Sequence, residues 1–152
     1  MGRRWWSGAA GRGGRGERGS VLVEFSLVFA LFVLVIYALI TFGVILAAKN
    51  SLTHAAAEGA RAAVAVVDDP MTPDDERVER AKEKVGQSLD WFGASYEPGD
   101  TAASVGACGT AQCITVTITY PYETRPIVPP APGLGLVIPS DLTSTAVVEL
   151  TD

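Results

Sequence analysis

From Phe25 to Ala48 the chain runs for 24 residues without a charged side chain. At a helical rise of about 1.5 Å per residue, such a run reaches roughly 36 Å, enough to cross a hydrocarbon core of about 30 Å with some tilt. Leu, Val, Ile and Phe are spread all round it, with no polar stripe before Lys49. A core helix of a soluble domain would show one apolar face, and a chain of 152 residues could hardly wrap so long a helix on every side. The pattern predicts a transmembrane helix over residues 20–48.

The flanks predict its direction. Residues 1–19 hold Arg3, Arg4, Arg12, Arg15 and Arg18 against Glu17 alone, a net charge of +4. From Lys49 onward there are seven Lys or Arg and fifteen Asp or Glu, a net charge of −8. The excess of arginine before the span places the N-terminus in the cytoplasm and the acidic remainder outside, a single-pass arrangement in a cytoplasmic membrane. The run is too long for the apolar region of a cleaved secretory signal, and no A-x-A site closes it. The same length and apolarity argue against reading Arg3-Arg4 as a twin-arginine address. The leader itself is Gly and Arg with Trp5 and Trp6, too polar to bury a core, so disorder is expected. With a span just behind it, a topological role at the lipid surface is favoured over a nucleic-acid-binding arm.

Beyond the span, "KNSLTHAAAEGARAAVAVV" continues helical, with Leu52, Ala56, Ala60, Ala63 and Val67 on one line. One helix from about Ser20 to Val67 is expected, stopped by Pro70 acting on Asp69. Gly59 weakens it locally and lets a neighbour approach closely. Lone His54 reads as a helix-surface residue. A second helix is signalled by Thr72 as N-cap, Pro73 at the first helical position and Asp75 three residues on. Its apolar stripe is Val78, Ala81, Val85 and Leu89, with Arg77, Glu79, Arg80, Glu83 and Lys84 expected in solvent. Trp91 and Phe92 should cap a small core. Ile114, Val116, Ile118 and Tyr120 then alternate with Thr115, Thr117 and Thr119, a half-buried strand. Further strands are expected at residues 142–150 and at Ala102 to Ala107, with a proline-rich exposed loop between the two better ones. The whole is α+β, with a 1–19 leader, a 20–48 span and a 49–152 external domain carrying a small antiparallel sheet.

Cys108 and Cys113 bracket "GTAQ". They cannot form a recognisable zinc site with one distant His, whereas an external compartment permits a disulfide between them, two free thiols being the alternative. No phosphate-binding glycine loop and no nucleophile–His constellation is present, so neither an enzyme nor a cofactor or metal is expected.

Glu24 is the one carboxylate at the front of the apolar run, and such a group calls for a partner or a purpose. Gly19 stands five residues before it, with arginines ahead. The stretch "ERG-SVLVEF" resembles the type III signal of the type IV pilin superfamily. More narrowly, "VLVEFSLVFALFVLVIYALITFGVIL" followed by "AAAEGARAA" is similar to the TadE-like pilus-assembly proteins, pseudopilins of the tight-adherence (Tad/Flp) machinery. Glu24-Phe25, Phe42-Gly43 and residues 55–63 carry the likeness. Many relatives have a proline near Ala30, and this chain does not. The resemblance implies cleavage between Gly19 and Ser20 by a membrane-embedded prepilin peptidase. It also implies a register role for Glu24, which would neutralise the new α-amino group of a neighbouring subunit, so that misregistered packing would bury both unpaired. Its implied partners are other pilins or pseudopilins, Tad assembly proteins and the lipid bilayer, and small residues such as Gly43, Ala47 and Ala48 would allow close helix packing. A signal-anchored external binding module unrelated to pili is the competing reading.

Overall fold

The computed structural model describes residues 15–66, 73–129 and 138–150, excluding the side chains of 15–18, 73 and 93–95. The expectations for Thr72, Val67, Pro70 and the leader before Arg15 lie outside the described residues. Two compact units are distinguished, Met1–Tyr37 and Ala38–Asp152. A single helix, α1 (Arg15–Val64), belongs to both.

In the first unit α1 presents apolar side chains all round. Val21, Leu22, Val23, Phe25, Leu27, Phe29, Leu31 and Phe32 are all exposed. Removing that much apolar surface from water is strongly favourable, and this helix is long and apolar enough to cross a membrane. It starts five residues earlier than the sequence predicts, at Arg15 rather than Ser20. Arginine and glutamate are good helix formers, and an established helix adds residues at little cost, so it runs through Gly19.

In the second unit α1 has a covered face and an open one. Thr41, Ile45, Ala48, Leu52, Ala55, Ala56, Ala60 and Ala63 are buried. The small side chains on this face let the second layer come close. That layer begins with α2 (Pro73–Ser88), on which Ala81 and Val85 are fully buried, as is Leu89 just past its end, while Val78 is half-buried. Arg77 is not in solvent as expected but only 5 % exposed. It lies four residues before Ala81, on the buried line, and its Nη1 donates to the carbonyl of Ala63 at 3.1 Å. The last carbonyls of a helix lack intrahelical partners and carry the negative end of its dipole, so a guanidinium is well placed there. Trp91 and Phe92 cap the core unequally. Phe92 enters the core, but Trp91 is 63 % exposed. The chain tightens into a 3-10 turn over Asp90–Ser95, and the Trp91 ring packs tilted against that of Phe92 with centroids 4.3 Å apart.

After a 3-10 turn at Pro98–Asp100 come β1 (Thr101–Cys108), β2 (Ala111–Tyr120) and β3 (Leu142–Leu150). They form an antiparallel sheet in the order β1-β2-β3. Ile114, Val116, Ile118 and Tyr120 are fully buried against the helices, with Leu142 and Ser144 beside them on β3. The other face carries Thr115, Thr117, Thr119, Thr143 and Thr145, with a hydroxyl contact of 3.2 Å between Thr117 and Thr145. Alternation with period two thus divides β2 into a core face and a polar face. The fold is α+β, two helices on one side of a small sheet.

Candidate functional site

Gly19, Ser20, Glu24 and Phe25 occupy consecutive turns of α1, and all are exposed. The Phe25 ring stacks on Phe29, one turn on, with centroids 5.9 Å apart. Ser26 returns its hydroxyl to the carbonyl of Leu22 at 2.7 Å, so this polar side chain is satisfied within the helix. Among the described residues no side chain pairs with Glu24, which leaves its carboxylate presented outward on an apolar rod. A carboxylate so placed calls for a cation, because burying it in lipid or between helices without one is costly.

Further along, Phe42, Gly43 and Ala47 are exposed, whereas Ala48 is buried in the chain's own core at 1 %. Ala48 therefore does not offer a surface to another helix. A methyl group added at Gly43 would have no neighbour within 4 Å. Gly59 differs. A Cβ there would lie 2.6 Å from Val85 Cγ2 and 2.9 Å from the Ala81 carbonyl oxygen. Its close neighbour is α2 of the same chain.

Cys108 and Cys113 are joined by a disulfide, with Cα atoms 5.7 Å apart. Cys108 is registered with Ala111 and Cys113 with Gly106, which puts both sulfurs on the threonine side of the sheet. Gly109 and Thr110 make the connection. Gly109 has φ +75°, and among the described residues no other residue type has positive φ, as in a type II′ hairpin turn.

One cluster went unseen in the sequence. Arg125, in the loop after β2, reaches Asp100 through Nη2 and Glu97 through Nη1 at 3.5 Å. Its guanidinium lies 5.5 Å from the Tyr120 ring centre, and the Tyr120 hydroxyl donates to the Arg125 carbonyl. The hydrogen bond with Asp100 raises the Arg125 pKa above its ordinary value. The partners stand 25 residues apart, so no local spacing announces them. Nearby, burial pushes the Tyr96 hydroxyl above its usual pKa of 10.0, opposed by its hydrogen bond with Thr101 and assisted by the Asp100 charge. This cluster ties a loop to the sheet. Among the described residues no group of His, Cys, Asp or Glu is arranged to hold a metal ion.

Fold and surface together define an α+β protein with, among the described residues, one candidate membrane anchor at its N-terminal side. Residues 19–61, the stretch of α1 that carries Gly19, Glu24 and Gly43, match the model of a family described as TadE-like protein. The resemblance read from "SVLVEF" and "AAAEGARAA" is borne out over that segment. No curated protein and no solved structure matches the chain.

Proposed function

We propose that the chain is a TadE-like pseudopilin or minor pilin that assists assembly of a Tad/Flp-type pilus without enzymatic activity. In this reading it is held in a bacterial cytoplasmic membrane, N-terminus inside and α+β unit outside. The observation that carries it is the TadE-like match falling on the segment where Gly19, Ser20 and Glu24 stand in order on an exposed apolar helix. A prepilin peptidase would cut between Gly19 and Ser20 and leave Ser20 as the first residue of the mature chain. That bond lies inside α1, so exposing it to a peptidase would call for the first turns to unwind. Gly19 eases this, costing a helix about 1 kcal/mol relative to alanine. The freed α-amino group is then the cation that Glu24 of a neighbouring subunit would neutralise.

Intact-mass and N-terminal peptide analysis of the protein from its native membrane is the test. A mature chain beginning at Ser20 supports the reading, and an uncut N-terminus sinks the processed form. Glu24→Ala should insert normally, as judged by carbonate-resistant membrane association, yet lose piliation. Normal piliation in that variant removes the register role.

The alternative, an anchored external binding module unrelated to pili, draws on one fact: the match ends at residue 61, before α2 and the sheet. Unprocessed protein, and unchanged appendages in a deletion strain, would favour it.

A further inference from the structure

The apolar run is uncharged to Ala48, yet the second unit already covers one side of it from Thr41. The elements around that stretch can be placed by level along α1. Arg77 meets Ala63, and Ala81 with Val85 meets Gly59, so α2 descends antiparallel to α1 toward its N-terminal side. Past the end of α2, the Phe92 ring packs edge-on against Tyr120 with centroids 5.7 Å apart. Ser144 sits at Thr53, their hydroxyl oxygens 2.9 Å apart, and Tyr120 is registered with Leu142. The Tyr120–Leu142 end of the sheet is therefore the end nearest Ile45 and Thr41. There the Glu123 amide donates to the Ser140 carbonyl at 2.9 Å, and the exposed carboxylates of Glu123 and Asp141 lie at the same end. Two carboxylates do not enter hydrocarbon without a large cost, so this end of the domain belongs at headgroup level or above.

The opposite side of α1 tells a different story at the same level. Leu39 is 69 % exposed and Leu46 68 %, and Phe42, Gly43 and Ala47 are open between and beside them. This face continues the exposed apolar surface of the preceding turns without a polar break. It ends at Lys49 and Asn50, both exposed, where a lysine can carry its ammonium into the headgroups while its stem stays in apolar surroundings.

We propose that the outer-leaflet hydrocarbon covers α1 on one side only: lipid reaches the Leu39–Phe42–Gly43–Leu46 face as far as Ala47, while the domain occupies the Thr41–Ile45–Ala48 face and rests its Glu123–Asp141 end on the headgroups. The inference rests on the membrane-anchored reading above. Its occupant is lipid rather than a second protein helix because the face is continuous with the membrane-crossing surface and stops at the polar pair Lys49 and Asn50.

The test reconstitutes the full-length chain in phosphatidylethanolamine and phosphatidylglycerol vesicles and attaches a fluorophore to single substitutions Leu34→Cys, Leu46→Cys, Asn50→Cys or Glu123→Cys. The native cysteines, being disulfide-bonded, stay unlabelled without reductant. Quenching by nitroxide near the top of the lipid chains is compared with quenching by aqueous iodide. Probes at positions 34 and 46 should be quenched several-fold more by lipid, and those at 50 and 123 several-fold more by iodide. Iodide quenching at 46 with lipid quenching at 34 overturns the proposal, as does lipid quenching at 123. Shielding of 46 from both quenchers, together with efficient cross-linking between copies of the Leu46→Cys chain, overturns it in favour of a helix–helix interface. Iodide quenching at 34 would instead remove the membrane-anchored reading itself.

Discussion

A methyl group at Gly59 would meet a backbone carbonyl that cannot give way, whereas one at Gly86, in α2, would meet nothing within 4 Å. Alanine improves helix propensity by about 1 kcal/mol at either site, and overpacking costs about 1–3 kcal/mol where space is lacking. Gly59→Ala should therefore lower stability by about 1 kcal/mol net, and Gly86→Ala should raise it by about 0.5–1 kcal/mol. Thermal denaturation of the detergent-solubilised chain, followed by near-UV circular dichroism, compares the two; equal shifts of one sign would deny the close approach of α2. Tyr96 gives a residue-scale pH dependence. Its hydroxyl is 2.8 Å from Thr101 Oγ1, and burial holds its folded-state pKa above 10.0. The folded state thus keeps a proton that the unfolded chain releases, so the stabilisation is complete below pH 10.0 and is lost as pH rises through the raised value. Tyr96→Phe should flatten this alkaline fall in melting temperature relative to the parent. An unchanged slope would place the titration elsewhere.

At the scale of elements, the β1–β2 hairpin is held by its turn, its ladder and its disulfide, which closes a loop of sequence separation 5. For so short a loop the chain-entropy estimate is about 2 kcal/mol. Cys108→Ser should cost about that much and leave the register intact, because Gly109 and the buried Ile114, Val116 and Ile118 still dictate it. Hydrogen exchange of β2 amides would check both, and a collapse of protection along all of β2 would show that the disulfide sets the register. This element was legible beforehand because strict alternation from Ile114 to Tyr120 admits one reading, while the 142–150 strand was readable from a less regular pattern. Arg77 was not, although it lies on the line of Ala81, Val85 and Leu89; charge alone argued for solvent, and only the carbonyl of Ala63 brought it inside. Within residues 41–48 the sequence is silent for a deeper reason. A protein core and a lipid interior reward the same side chains, so Ile45, buried, and Leu46, exposed, look alike until the packing is seen. Of the candidate site, the order Gly19, Ser20, Glu24, Phe25 is a local pattern and was readable, while the Arg125, Asp100 and Tyr120 cluster depends on tertiary contact.

For the whole molecule, charge and sulfur chemistry make one joint statement. The five leader arginines argue for a cytoplasmic N-terminus, and a disulfide persists only where the compartment is oxidising. If both follow from the same insertion, then reversing the charge bias must change the redox state of a hairpin more than forty residues beyond the end of the first helix. In cells treated with a membrane-permeant maleimide polymer without reductant, the parent chain should show no mass shift, since Cys108 and Cys113 are bonded to each other. Replacing Arg3, Arg4, Arg12, Arg15 and Arg18 with glutamine removes the bias, and a fraction of chains should then insert inverted, with the sheet inside. Those chains should be alkylated at both thiols and become resistant to protease added outside. Alkylation of the parent chain would place its sheet in a reducing compartment and break the orientation proposed here. Complete protection of the glutamine variant would show instead that translocation of the acidic domain, and not the leader, decides the topology.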